Sequence, residues 1–440
     1  MSFWKRIAAA WQPRDPNSRI ELRLRLPVVW LVLLLAGALF LPDRVWTTLL
    51  IGFGGLFLVA FVWARLLAGG LFASRRLRFG WVAVGDRLQE EFTVANNSDV
   101  PALWIEVVDE SNVPGYQPAV VRSLSAREHD QWRQSAVCLR RGLFHLGPWE
   151  IRSGDPFGIF TVRRRFPATQ EIIIHPPVHG DLALPLPQGR SSGRARARRQ
   201  AWQATVNAAS VRDYQPSDPL GWIHWRSTAH RGELMTRQFD LDAAGDIWLL
   251  LDLEAAVQLN PGSASGTEEQ MILLAAALTA RALDATRGVG LVAHGGRSWI
   301  VPPATGQGQE WKLLRALALV DAAGSLPLAG ALRDLSRIAQ RGAAALVITP
   351  RASTEWLPQL ATLARSGVES TVLLLDRPSY GGEGASAPLL DAVRGLGFEA
   401  RVIHQGEIGR PLLETERHGF WEFKVSGLGK AVAVRRPEAL

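Results

Sequence analysis

The residues best suited to chemistry are concentrated in one short stretch, between Val211 and Asp240. Side chains that donate, accept and stack follow one another there with few apolar residues between them. Because each such group needs a partner when it is buried, this density favours a fixed polar network joining two domains. A connecting loop whose charges face water is the alternative. The predicted members of the network are Arg212, Tyr214, Asp218, His224, Trp225 and His230.

Two histidines of this stretch, His224 and His230, could also be paired with Asp218 as acid and base. Such a pair would make the protein a hydrolase-like enzyme. Spacing alone favours a simpler role, in which His224 hydrogen-bonds within the network and Trp225 packs at the domain junction. The chain contains no phosphate-loop motif, and its single cysteine excludes a thiolate metal site.

The elements that follow this stretch must position it. From Asp246 the sequence alternates continuous apolar runs with amphipathic segments, which predicts a doubly wound α/β domain with a parallel sheet covered on both faces. Ligands of such sheets bind outside the carboxyl ends of the strands. Upstream, short runs that alternate polar and apolar residues predict an antiparallel β-sandwich. Within it, Asp155-Pro156-Phe157-Gly158 predicts a tight turn, and Cys138 is expected to be buried.

Two apolar runs near the N-terminus predict a transmembrane helical hairpin, Pro27–Leu41 and Val45–Leu67. A cleaved signal peptide is the alternative interpretation of the first run. Arginines flank the pair on both sides while the turn holds one, so the positive-inside rule predicts cytoplasmic termini and soluble domains. A basic run at Gly189–Arg199 is expected to be attracted to anionic lipid. No nucleic-acid-binding module surrounds it, so no nucleic acid partner is expected.

These patterns together predict a membrane-anchored α+β protein of several domains. Its predicted divisions are a basic arm (1–26), a transmembrane hairpin (27–67), a β-sandwich (77–180), a basic loop with the polar stretch (181–245), an α/β domain (246–410) and a C-terminal extension (411–440).

The polar stretch resembles the signature of the DUF58 family, a group of bacterial membrane-anchored proteins. The family pattern is roughly R-x-Y-x-x-G-D-x-x-R-x-I-H-W-x-x-x-A-R. Matching residues are Arg212, Tyr214, Asp218, Ile223, His224, Trp225 and Ala229. Ser217, Gly221 and His230 depart from it. A second family motif is matched by Arg141, Gly142, Gly147, Pro148 and the Asp155–Gly158 turn. The resemblance extends from the hairpin to about residue 376.

The α/β domain is similar to a von Willebrand A-type domain, whose first strand ends in D-x-S-x-S and helps to hold Mg²⁺. Here Asp252, Glu254 and Ala256 occupy those places, and Thr349-Pro350 stands where a later Asp would be expected. The resemblance therefore implies a degenerate metal site formed by Asp252, Glu254 and Thr349. We expect no resident cofactor, although weak Mg²⁺ binding is compatible with the two carboxylates.

The resemblance also implies a function. DUF58 proteins resemble partners of MoxR-type AAA+ ATPases, and A-type domains commonly bind proteins. We therefore expect a non-enzymatic adaptor in the bacterial inner membrane, with an AAA+ ATPase and lipid as partners. The hydrolase-like enzyme centred on Asp218, His224 and His230 is the alternative.

Overall fold

The computed structural model describes residues 15–40, 43–78, 81–178, 184, 186–187, 210–215, 220–238, 245–408, 422–425 and 431–435. They fall into two compact units, one within Met1–Pro177 and Pro411–Pro437, and one within Val178–Arg410. The fold is mixed, with α-helices and several separate β-sheets, as the sequence predicts. The basic run at 189–199 and Asp218 lie outside the described residues.

A pair of apolar helices opens the first unit. Helix α1 is Leu26–Phe40 and helix α2 is Arg44–Gly70, and the two pack against each other. Gly37 of α1 lies so close to Trp46 of α2 that a Cβ at this glycine would be 2.6 Å from the indole ring. Helix α2 is long and apolar enough to cross a membrane. Helix α1, with 15 residues, is shorter than the roughly 17 residues that a span needs.

A β-sandwich forms most of the rest of this unit. Its strands are β1 Ser18–Leu22, β2 Leu71–Leu77, β3 Val82–Ala83, β4 Arg87–Asn96, β5 Ala102–Asp109, β6 Val121–Leu124, β7 His129–Val137, β8 Gly142–Leu146, β9 Trp149–Gly154, β10 Phe160–Phe166 and β11 Gln170–His175. One sheet has the order β1-β10-β9-β5-β6, and two smaller sheets have the orders β2-β4-β7 and β3-β11-β8. The strands are antiparallel except where β11 pairs parallel with β3. Every second residue of β4 is buried, which is the period expected of a strand with one face on a core.

The sandwich differs from its predicted bounds at its start. Strand β1 lies inside the segment predicted to be a basic arm, and it pairs antiparallel with β10. The first sandwich strand after the hairpin begins at Leu71 rather than at residue 77. The alternation of polar and apolar residues around Ile20 is short and contains arginines, so it does not predict a strand. Its partner strand, β10, lies far along the chain. Ile20 is buried in the same core as the end of α2, where Ala64 and Leu67 lie. Cys138 is buried, as predicted.

The second unit begins with the polar stretch and continues into the α/β domain. The stretch forms strand β12 Ser210–Asp213, helix α3 Trp225–Arg231 and strand β13 Met235–Gln238, with β12 and β13 antiparallel. The remaining strands are β14 Ile247–Leu251, β15 Val289–His294, β16 Ser298–Ala304, β17 Ala344–Thr349, β18 Glu369–Leu375 and β19 Glu399–Ile403. The helices are α4 Thr267–Asp284, α5 Gln307–Leu319, α6 Leu328–Ile338, α7 Leu357–Arg365 and α8 Ser386–Gly395.

This domain contains the predicted parallel sheet, with strand order β16-β15-β14-β17-β18-β19. Strands β14 and β17 are buried at every position, because helices cover both faces. Strand β16 is the exception in direction, since it runs antiparallel to β15. The chain between β15 and β16 is too short for the crossover that parallel strands require.

A last antiparallel pair lies in the predicted C-terminal extension. It consists of β20 Glu422–Val425 and β21 Ala431–Arg435.

Candidate functional site

The clearest cluster of charged side chains lies at the carboxyl edge of the parallel sheet. Strands β14 and β17 are neighbours in the sheet and run in the same direction, so the residues that follow them emerge together. Asp252 and Glu254 follow β14, Thr349 ends β17, and Arg351 comes two residues later. We call these four residues the edge cluster.

The hydrogen bonds of the edge cluster converge on one carboxylate. Thr349 Oγ1 donates to Asp252 Oδ2 at 2.7 Å, and Arg351 Nε donates to the same oxygen at 2.8 Å. Arg351 Nη2 also pairs with Glu254 Oε2. Because a guanidinium carries a fixed fork of donors, one arginine can neutralise two carboxylates on the same side. Asp252 is only 2% exposed.

The electrostatics of Asp252 reflect a balance between burial and pairing. Burial raises the pKa of Asp252, because desolvation disfavours the carboxylate. The charge of Arg351 and the hydrogen bonds from Thr349 and Arg351 act in the opposite direction. Asp252 Oδ1 is buried, and no donor among the described residues reaches it. The carboxylate therefore depends on Arg351 for most of its compensation.

Neighbouring side chains fix the two loops that carry the edge cluster. Gln258 Nε2 donates to the carbonyl oxygen of Asp252 at 2.8 Å, and Thr267 Oγ1 donates to Gln258 Oε1 at 2.8 Å. Arg377 Nη1 bonds the carbonyl oxygens of Val257 and Pro350, which belong to the two different loops. The loops after β14 and β17 are thus joined at two points, through Arg351 in the edge cluster and through Arg377.

The residues of the edge cluster do not fit the metal ion that the A-type resemblance implies. Such an ion requires several oxygen ligands, and Ala256 offers no hydroxyl. One side-chain oxygen of each carboxylate, Asp252 Oδ2 and Glu254 Oε2, already bonds the guanidinium of Arg351. Within the described ranges, no three residues among His, Cys, Asp and Glu are grouped to hold an ion. The guanidinium of Arg351 supplies the positive charge that pairs with both carboxylates.

The sequence interpretation identified Asp252, Glu254 and Thr349 and missed Arg351. The structure brings the three predicted residues together and adds the arginine that pairs with them. One sequence feature could have indicated Arg351. This arginine lies two residues beyond the end of the buried strand β17, at the sheet edge where the carboxylates of Asp252 and Glu254 are expected.

The polar stretch contains a local capping interaction at His224. His224 precedes α3 as its N-cap, and its Nδ1 accepts a hydrogen bond from Ser227 N at 3.2 Å and lies 2.7 Å from Ser227 Oγ. Gly232 ends the helix in the left-handed conformation, with φ 77°. Because Nδ1 accepts this bond, the neutral ring carries its proton on Nε2 and has no free lone pair with which to act as a general base.

The other predicted members of the polar network are not brought together in the described residues. Trp225 is 67% exposed, so the packed position expected for it is not observed. His230 is also exposed, while Tyr214 and His224 are half-buried. Asp218 and the side chain of Arg212 lie outside what the structure describes. The interior of the segment is mainly apolar instead, since its buried side chains are Ile223, Met235 and Thr236. The polar residues are free to face outward because the short helix has few neighbours.

A second buried charge cluster, which the sequence interpretation did not identify, lies in the sandwich. Arg75 bonds both oxygens of Glu90, at 2.8 and 2.7 Å, and contacts Asp109 at 2.9 Å. The hydroxyl of Tyr116 donates to Glu90, and burial raises the pKa of this tyrosine. The cluster connects strands β2, β4 and β5 across the sandwich, and we assign it a structural role.

Comparisons with known proteins match part of this chain to a family model. Residues 210–377 match the family model described as "Protein of unknown function DUF58". "Uncharacterized protein YeaD" of Bacillus subtilis (strain 168) is 22% identical over 348 residues, which cover 77% of this chain and 84% of that protein.

Two solved structures also show similarity. Proximal thread matrix protein 1 from the mussel byssus matches with a TM-score of 0.29 and 12% identity, over 37% of this chain and 45% of that chain. A von Willebrand factor type A protein from Catenulispora acidiphila matches with a TM-score of 0.25 and 13% identity, over 37% of this chain and 39% of that chain. Residues 210–377 of the chain therefore match the DUF58 family model, which confirms the resemblance that its signature residues indicated.

Proposed function

We propose that this protein is a non-enzymatic, membrane-anchored adaptor that binds a protein partner through helix α3. The observation that carries the proposal is the exposure of Trp225. Exposed Arg226, His230 and Arg231 lie on the same helix. A large aromatic ring among cations is the composition found at binding hot spots.

The partner that we propose is a MoxR-type AAA+ ATPase, the class implied by the DUF58 resemblance. The cations of α3 suit an acidic patch on such a partner, and Trp225 suits an apolar pocket at its centre. The strand order of the α/β domain, β16-β15-β14-β17-β18-β19, supports an A-type architecture, which suits a binding role.

We further propose that helices α1 and α2 anchor the chain in the bacterial inner membrane with both termini and the soluble domains in the cytoplasm. Helix α2 is long and apolar enough to span. Arg19, Arg23 and Arg25 precede the hairpin and Arg75, Arg76 and Arg78 follow it, which supports the cytoplasmic orientation.

The hydrolytic alternative receives less support. A general base needs a free ring nitrogen within reach of a substrate proton, and His224 Nδ1 is engaged in capping α3. The charged groups of the edge cluster are likewise bonded to one another. We therefore propose binding, rather than catalysis, as the role of the segment.

The test is site-specific photo-crosslinking in native membranes. A photoreactive phenylalanine analogue replaces Trp225 in the full-length chain, and the same analogue replaces Leu396 in a matched control. Both positions are exposed and apolar, and Leu396 lies outside the signature segment. We expect the probe at 225, and not the probe at 396, to crosslink an AAA+ ATPase.

Two results would contradict the proposal. The first is equal crosslinking of the ATPase from both positions. The second is a Trp225→Ala chain that recovers as much ATPase as the unmodified chain from the same membranes.

A further inference from the structure

The turn between β9 and β10 presents an exposed aromatic side chain from a rigid loop. Asp155 is buried, and its two carboxylate oxygens accept hydrogen bonds from Phe157 N at 2.8 Å and Phe160 N at 2.5 Å. Gly158 closes the turn in the left-handed conformation, with φ 69°. Phe157 nevertheless remains 48% exposed. The turn therefore holds an apolar ring outward in a fixed position, and the proposed partner-binding helix does not use it.

This turn lies beside the start of helix α1. Arg23 N donates to the carbonyl oxygen of Ile159 at 2.8 Å, and Leu22 is paired with Phe160 in the sheet. The same short connection into α1 exposes Leu24, which is 42% accessible. We call Leu22, Leu24 and Phe157 the apolar rim.

Helix α2 reaches the sandwich at the same end. The rings of Phe57 and Phe61 on α2 lie 5.1 and 5.7 Å from the ring of Phe160. Beyond this point α2 is packed against the sandwich core, with Ala60 and Ala64 fully buried. Both helices therefore project from the end of the sandwich that carries the apolar rim.

The projecting lengths are short compared with a bilayer. Helix α1 has 15 residues, which at 1.5 Å per residue is about 22 Å. Helix α2 has a similar length, about 20 Å, between Arg44 and its first ring contact at Phe57. The hydrocarbon core is about 30 Å thick. A hairpin that enters the bilayer to its full depth therefore brings the end of the sandwich into the interfacial layer.

The charges near the apolar rim suit that layer. Arg23 and Arg25 alternate with the leucines of the connection and are exposed. Arginines beside exposed leucine and phenylalanine form the composition of interfacial segments, in which apolar side chains enter the acyl boundary and cations meet anionic head groups.

We propose that the apolar rim is seated in the head-group layer of an anionic bilayer, so that the sandwich rests on the membrane instead of hanging from a flexible tether. The proposal rests on the membrane anchoring proposed above. It assigns the Asp155–Gly158 turn, which the sequence alone identifies only as a turn, the role of a membrane contact.

The experiment measures the depth of a fluorescent probe. In a Cys138→Ala background, Phe157→Cys is labelled with an environment-sensitive dye, and the full chain is reconstituted into vesicles of phosphatidylglycerol and phosphatidylethanolamine. Leu139→Cys is the matched control. Leu139 is 55% exposed and follows Cys138, which belongs to a separate hydrophobic cluster without helix residues. A Leu24→Cys chain provides a second rim position if Phe157→Cys disturbs folding.

We expect rim probes to shift to the blue and to be quenched by lipids carrying a nitroxide near the head-group end of the acyl chain. The Leu139 probe should show neither effect. In vesicles of phosphatidylcholine alone, quenching at the rim should decrease, because the arginines lose their anionic partners.

Flotation of the unlabelled chain with the vesicles distinguishes a failure of the proposed membrane anchoring from a failure of the proposed seating of the apolar rim. A chain that does not float with the vesicles overturns both anchoring and seating. A chain that floats, and whose two rim probes are quenched no more than the Leu139 probe, retains its anchor and overturns the seating alone.

Discussion

The signature segment and the edge cluster belong to the same unit and use polar residues in opposite ways. In the segment, Trp225 and His230 are exposed, and His224 bonds within its own helix. In the edge cluster, Asp252 is almost fully buried and bonded to Arg351, a residue distant in sequence. The density of polar residues along the chain therefore does not locate the buried network. The sheet locates it, because neighbouring parallel strands bring distant residues to one edge.

The largest effect that we predict from this contrast is at Arg351. Arg351→Ala leaves the buried carboxylate of Asp252 uncompensated, which should destabilise the α/β domain by about 3–5 kcal/mol. Thermal unfolding of the full chain in detergent, with hydrogen exchange of β17 peptides, measures the loss. Arg337→Ala is the control, because this exposed arginine pairs with Asp334 on the surface and such pairs contribute about 0–1 kcal/mol. Equal effects of the two variants would show that the edge cluster is not a structural charge pair.

The second prediction concerns the pH dependence of the Arg351→Ala chain. Burial raises the folded-state pKa of Asp252, and removal of Arg351 takes away the charge that opposes this rise. A raised pKa contributes stability below the unfolded value, about 3.9, which is lost as the pH rises through the folded value. The variant should therefore lose more stability than the wild type as the pH rises above about 4.

The double variant Arg351→Ala/Asp252→Asn checks this origin, because the amide does not ionise. It should recover most of the stability lost near neutral pH and should lack the pH dependence that Asp252 gives to the single variant. A double variant that still loses stability as the pH rises would assign the effect to a different group.

A smaller and local effect is expected in the signature segment. His224→Ala removes the N-cap of α3, which should destabilise that helix by about 1 kcal/mol. Hydrogen exchange should accelerate in α3 peptides and remain unchanged in β14 and β17. Trp225→Ala should change stability by less than about 0.5 kcal/mol, because the ring is exposed. Faster exchange in the sheet after either change would mean that the segment is packed into the domain and that the contrast is wrong.

The smallest expected effect is that of divalent ions. Since Arg351 already bonds Asp252 and Glu254, excess chelator or added Mg²⁺ should leave the unfolding temperature of the wild-type chain unchanged. Titration calorimetry with Mg²⁺ and Mn²⁺ provides an independent measurement. Heat of binding that disappears in Asp252→Ala would restore a metal site to this edge.

Some features required the pairing of distant segments and could not be predicted from local patterns. The alternation at Ser18–Leu22 is short and interrupted by arginines, and it becomes a strand through its pairing with β10. The apolar composition of α2 predicts that its end belongs to a membrane hairpin, yet Ala64 and Leu67 pack in the sandwich core. An apolar helix in a bilayer and one on a protein core have the same composition, so sequence alone does not divide α2 between these two environments.

Local sequence patterns predict the order and type of the main elements, because period and composition are local properties. The alternation of apolar runs from Asp246 predicts the parallel sheet, and local composition also predicts the burial of Cys138 and the turn at Asp155–Gly158. Which charges pair depends on the fold. Arg351 and Asp252 are far apart along the chain, and they pair because β14 and β17 lie side by side with their carboxyl ends at one edge.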